Sequence, residues 1–155
     1  GLQKLIGEEY CKLFSFLYGI ETVSLRYFNV FGERQPAEGA YCTVIGIFSR
    51  LKKEGKSLTI TNDGEQRRDM TYVGDVVMAN ILAATSENVG KGEVINVGSG
   101  KNYSVNELAN IFDMPKIFTG DVIEPRETMA DNTKAKQLLG WDSTINVVDW
   151  LKNNI

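Results

Sequence analysis

Few residues in this 155-residue chain are equipped for chemistry, and those few suit anions. Histidine is absent, which removes imidazole catalysis and histidine metal sites. The two cysteines, Cys11 and Cys42, form no Cys-x-x-Cys pair, so they make neither a zinc motif nor a disulfide framework. Arg68 lies in the stretch RRD, directly after the polar turn NDGEQ. A guanidinium fork matches two phosphate oxygens at once; the plain alternative is a surface arginine. Phe28 and Asn29 come near the end of TVSLRYFNV, and α/β proteins place ligands at strand ends. Phe28 suits a core equally well, and Asn29 a turn. Lys4 sits in the first turn of an apolar-periodic stretch, where the helix dipole favours negative charge. Its plain reading is a solvated lysine. Arg126, in a polar loop, is a further cation.

The elements that must position these groups alternate between helix and strand. Apolar residues in GLQKLIGEEYCKLFSFLYG recur every three to four positions, which predicts a helix to about Tyr18, stopped by Gly19. No Ser, Thr, Asp or Asn caps its start. TVSLRYFNV (22–30) reads as a buried strand, and 32–39 as a turn-rich loop. Residues 44–55 read as a helix, 57–61 and 67–73 as strands. Asp75 is expected to cap the apolar helix that follows. A strand over 93–97 leads to a loop, then to Ser104 and Glu107, spaced as a capping box. A short strand near 116–119, a polar loop and two helices (131–140, with Asp131 as cap, and 146–155) complete the chain. The alternation predicts an α/β fold. GSG at 98–100 lacks the third glycine and the downstream acid of a dinucleotide turn, and reads as a plain turn.

Length suits one domain that buries roughly 70% of its unfolded surface. Net charge is −3 with no long run of one sign, so no nucleic-acid footprint is expected. No apolar run approaches the ~20 residues of a membrane span, and no signal-peptide pattern opens the chain. Two unpaired cysteines fit a reducing cytoplasm.

Four stretches in order carry a resemblance: LRYFNVFGERQ (25–35), DGEQRRDMTYVGDV (63–76), INVGSGKNYSVNELA (95–109) and ADNTKAKQLLGW (130–141). Together they resemble the extended short-chain dehydrogenase/reductase family, and within it the NAD-dependent nucleotide-sugar epimerases and dehydratases of the UDP-glucose 4-epimerase type. The likeness covers nearly the whole chain but only the C-terminal half of the family's usual length. It implies an extended Rossmann-type enzyme. Residues 1–30 would be a helix and strand of the NAD-binding lobe, and 31–155 the nucleotide-sugar-binding lobe. A 4,6-dehydratase, decarboxylase or reductase of the same family is an alternative, as is a non-catalytic interaction module.

The resemblance also assigns roles. Lys4 matches the lysine of a Tyr-x-x-x-Lys pair, whose tyrosine would immediately precede Gly1. Such a lysine favours the phenolate and hydrogen-bonds the nicotinamide ribose. Phe28 would lie at the nicotinamide end of NAD, and Asn29 would donate to the diphosphate or sugar. Arg68 would grip the diphosphate, while Arg67 reads as surface. Tyr41, Val44, Ile45 and Phe48 would flank the nucleotide base, though core packing explains the last three equally well. Arg126 would substitute for a phosphate-binding arginine whose usual position holds Asp121, with Glu124 on the family's glutamate. Thr61 falls where relatives carry an aromatic residue that stacks on uracil. The chain alone is expected to bind NAD negligibly, to turn over nothing, to hold no metal, and to self-associate through the 1–30 region as a homodimer.

Overall fold

In the computed structural model, which describes residues 1–39 and 41–155, helices and strands alternate as expected. The order is α1 (Leu2–Tyr18), β1 (Thr22–Tyr27), β2 (Val30–Phe31), α2 (Val44–Lys53), β3 (Leu58–Ile60), β4 (Arg67–Asp69), β5 (Thr71–Tyr72) and α3 (Val73–Thr85). Then come β6 (Lys91–Val97), β7 (Asn102–Ser104), α4 (Val105–Phe112), β8 (Lys116–Phe118), one wide π-type turn (Ala135–Leu139) and α5 (Val147–Asn154). Strands pair in four separate couples. β1–β6, β2–β5 and β3–β8 are parallel, and β4–β7 is antiparallel.

Two apolar cores organise these pieces. One gathers Phe31, Ile45, Phe48, Leu58, Leu108, Phe112 and Leu151, from β2, α2, β3, α4 and α5. Phe48 and Phe112 meet edge to face there, at 5.5 Å between ring centres. The other joins α3, β6 and the π-type turn through Val76, Ala79, Ile95, Val97, Leu139 and Trp141, with Val23 and Leu25 of β1 packed against it.

α1 ends at Gly19 with φ +67°, a left-handed position that glycine takes at no steric cost. Its start has no side-chain cap, as its sequence indicates. The face it turns to β1 and β6 is polar. Ser15 Oγ donates to the Gly90 carbonyl at 3.0 Å, Thr22 Oγ1 donates to the Cys11 carbonyl at 3.0 Å, and Glu8 pairs with Arg26 at 2.7 Å. Leu2, Ile6, Leu13 and Leu17 are exposed, and no residue of the helix is buried.

Several elements depart from expectation for tertiary reasons. The strand over 22–30 breaks after Tyr27. Phe28 N–H still reaches the Val97 carbonyl, but Asn29 turns its amide onto the Asp69 carbonyl at 3.0 Å. The strand over 67–73 changes partner at buried Met70, pairing first with β7 and then with β2. Asp75 caps nothing: α3 begins at Val73, and Asp75 is buried in its first turn. There its carboxylate accepts from Thr144 Oγ1 at 2.6 Å and from the Thr144 and Ile145 amides. Asp131 does receive the Thr133 amide at 3.0 Å, yet the turn it leads into is π-type. That wide turn delivers Trp141 to the core, its indole N–H on the Asp75 carbonyl at 2.8 Å. The capping box is formed as expected, Ser104 Oγ receiving the Glu107 amide and Glu107 the Ser104 amide. Among the described residues, no helix is long and apolar enough to cross a membrane.

Candidate functional site

Arg68 and Asn29 line one cleft of about 420 Å³, with Val44 and Phe48 of α2, Thr61 after β3, and Glu124. β4 carries Arg68 into it because the strand alternates: Asp69 turns to the interior while Arg68 faces the cleft. The Arg68 side chain is only 14% exposed. Its Nη1 donates to the Arg67 carbonyl at 2.8 Å, and its Nη2 pairs with the Glu124 carboxylate. A largely desolvated guanidinium beside an amide donor and an apolar wall is chemistry suited to a phosphate carried on an organic group.

The neighbour of Arg68 on β4, Asp69, is fully buried. Its carboxylate accepts the Ser99 amide at 2.8 Å, the Ser99 hydroxyl at 2.7 Å, the Gly100 amide at 2.9 Å and the Ala130 amide at 3.0 Å. The GSG loop is therefore an anion cradle filled by a side chain of its own protein. A Cβ at Gly98 would lie 2.3 Å from the Ala130 methyl, so the approach needs glycine. Nothing in the local sequence marks this role of Asp69, because every donor lies at least 30 residues away.

The other candidate residues are placed as follows. Ile45 is fully buried in the core with Phe48. Phe28 is half-buried at the end of β1, close against Gly98 and outside the cleft lining. Lys4 is exposed on the first turn of α1. Arg126 turns to Asp63, at 2.7 and 2.9 Å, on an exposed surface rather than into the cleft. Arg67 is half-buried rather than free at the surface, bonded to Asn102 and paired with Glu107 at 3.0 Å. Tyr41 stands 91% exposed at the cleft mouth. Cys42 also lines the cleft, but burial pushes its thiol up and its Sγ donates to the Pro36 carbonyl at 3.0 Å. It is a poor nucleophile there.

A larger groove of about 750 Å³ lies between α2 and α5, lined by Arg34, Arg50 and Trp150 among others. Two of its cations are engaged within the chain: Lys52 bonds the Phe112 carbonyl, and Arg50 faces Glu38 and Glu54. Among the described residues, no cluster of carboxylates and thiols could hold a metal ion.

Fold and cleft together define an α/β protein with a phosphate-suited site at the ends of its strands. A model of the NAD dependent epimerase/dehydratase family matches residues 1–98. A protein of Methanocaldococcus jannaschii described as "Putative UDP-glucose 4-epimerase" is 43% identical over 99% of this chain and 53% of its own length. The crystal structure of a Thermotoga maritima UDP-glucose 4-epimerase with UDP-glucose superposes with a TM-score of 0.90 at 35% identity, covering 98% of this chain and 50% of that one. A UDP-N-acetylglucosamine 4-epimerase from Methanobrevibacter ruminantium, in complex with UDP-N-acetylmuramic acid, gives 0.89 at 33% identity, over 97% and 50%. The chain belongs to the NAD-dependent epimerase/dehydratase family, and its fold is part of the family's Rossmann-type architecture. It spans about half the length of the relatives it matches.

Proposed function

We propose that this chain forms the nucleotide-diphosphate-sugar-binding part of an NAD-dependent UDP-sugar 4-epimerase working in the cytoplasm. The observation that carries this reading is Arg68, held desolvated beside Asn29 in a cleft walled by Val44 and Phe48. In this assignment Arg68 holds the diphosphate, Asn29 donates to the diphosphate or sugar, and Val44 and Tyr41 flank the base. Residues 31–155 supply this lobe, and 1–30 belong with the cofactor lobe. Ile45 acts through packing, by fixing α2. Arg126 would have to leave Asp63 to reach a phosphate, so the burden falls on Arg68.

The fit to NAD is partial. Lys4 and Phe28 are the groups assigned to the nicotinamide end. The GSG loop has its N–H donors at Ser99 and Gly100 committed to Asp69. NAD, when bound, supplies the hydride acceptor for the sugar C4 position. Lys4 would contribute a positive charge beside the reacting hydroxyl's base, and this chain alone binds NAD negligibly and turns over nothing. The outward apolar stripe of α1 supports self-association as a homodimer.

Calorimetric titration of the chain with UDP and with NAD, beside an epimerisation assay on UDP-glucose, tests this. The expected result is UDP binding that is lost in Arg68→Met, with neither NAD binding nor turnover. Absence of UDP binding overturns the site. Micromolar NAD affinity or measurable epimerisation overturns the claim of inactivity.

A further inference from the structure

We propose that the groove between α2 and α5 is a ligand site separate from the cleft, and that it takes a compact phosphate monoester. Its volume, about 750 Å³, falls in the range of small-molecule sites. The chain carries a net charge of −3, yet four cationic side chains and two carboxylate side chains line this groove. The sequence spacing of α2 supplies half of the cations. Gly46, Arg50 and Lys53 recur at intervals of three to four, which sets them along one face of the helix. Val44 and Phe48 line the cleft instead, so α2 stands between the two sites. The loop after β2 brings Arg34 to the groove, and α5 brings Trp150.

The charges of the groove are unequally spent. Lys52 donates to the Phe112 carbonyl, Glu33 accepts from Trp150 and Tyr72, and Glu54 pairs with Lys56 at 2.8 Å. Arg50 is the opposite case. It lies 3.5 Å from Glu38 and 3.9 Å from Glu54, too far for strong hydrogen bonds, and its buried Nε has no acceptor among the described residues. Arg34 and Lys53 also line the groove and make no ion pair among the described residues. Basic residues at a helix end commonly serve its last carbonyls. Here the Arg50, Leu51 and Lys52 carbonyls already receive the amides of Glu54, Lys56 and Gly55. Three cations therefore keep donors for an outside anion, and a guanidinium fork takes two oxygens of one phosphate. The indole N–H of Trp150 is held by Glu33 at 3.2 Å, and its ring offers an apolar surface to the organic part.

The test is a titration of the full chain with phenyl phosphate, read by tryptophan fluorescence. The chain has two tryptophans, and Trp141 is 1% exposed in the core with α3 and β6, so the signal reports Trp150. A saturable change with a dissociation constant of about 1 mM or tighter is expected. Inorganic phosphate, which lacks the organic part, is expected to bind at least about tenfold more weakly, and phenol, which lacks the anion, not at all. Arg34→Met and Arg50→Met should each weaken phenyl phosphate binding about tenfold, with unchanged far-ultraviolet circular dichroism. Arg68→Met, which alters the cleft, should leave the affinity within about twofold. No saturable change up to about 10 mM overturns the site. So does equal affinity for phenol or for inorganic phosphate, or unaltered affinity in both groove variants. A signal lost in Arg68→Met assigns the probe to the cleft and overturns the groove, while leaving the nucleotide reading intact.

Discussion

The side-chain amide of Asn29 donates to the backbone carbonyl of Asp69 at 3.0 Å, tying the bend after β1 to the end of β4. Asn29 and Arg68 line the same cleft. Asn29→Ala is expected to cost about 1 kcal/mol of stability, the worth of one neutral hydrogen bond. It should also weaken UDP binding severalfold. Urea unfolding and calorimetry check the two effects separately, and a stability loss without an affinity loss would confine Asn29 to a structural role.

Asp69 is a fully buried carboxylate with four donors on two oxygens. Asp69→Asn replaces one acceptor oxygen by an NH₂ group, which must face a backbone N–H. The expected loss is about 2–4 kcal/mol, measured by urea unfolding. Asp69→Ala leaves the Ser99, Gly100 and Ala130 amides without a partner and should not be less damaging.

Glu33 links β2 to the C-terminal helix. Its own backbone N–H, the Trp150 indole at 3.2 Å and the Tyr72 hydroxyl at 3.0 Å hold its carboxyl below the ordinary glutamate value. A lowered folded value means the stabilisation is complete above the unfolded value and is lost as pH falls through the folded one. Trp150 also packs edge-on to Phe31, at 5.4 Å between ring centres. Acid titration followed by tryptophan fluorescence should show a transition below the usual glutamate range, and Glu33→Gln should abolish it.

The outward stripe of α1 is expected to bring copies together. Leu13→Glu with Leu17→Glu places two charges on that stripe, away from the polar contacts to β1 and β6. Sedimentation of the unaltered chain should show a dimer that the double variant lacks, with no change in far-ultraviolet circular dichroism. A monomer at high concentration before any substitution would remove homodimerisation through α1 from the proposed function.

Sequence signals hold in the structure where the partner is local, and fail where a distant partner intervenes. Ser104 and Glu107 lie three residues apart and form the box their spacing predicts. Gly19 ends α1 where the apolar period stops. Arg68 is legible as a phosphate-suited side chain, but its partner Glu124 is 56 residues away. Asp75 has the sequence context of a cap, yet its partner Thr144 returns to it from 69 residues away and draws it into the interior. Arg67 reads as surface because nothing local announces Asn102 or Glu107. The break in the strand over 22–30 has the same origin, since the carbonyl that captures Asn29 belongs to another strand.

The polar inner face of α1 bears on how the molecule breathes. A 17-residue helix that buries no side chain is held to the sheet by a few hydrogen bonds and one ion pair. Both apolar cores are complete without it. Opening α1 away from β6 therefore exposes little new apolar surface and costs far less than global unfolding. Stability in this chain is graded: firm around Phe48, Phe112 and Trp141, and shallow at the helix that bears Lys4. Anything that settles on the leucine stripe of α1 also determines how rigidly Lys4 is presented.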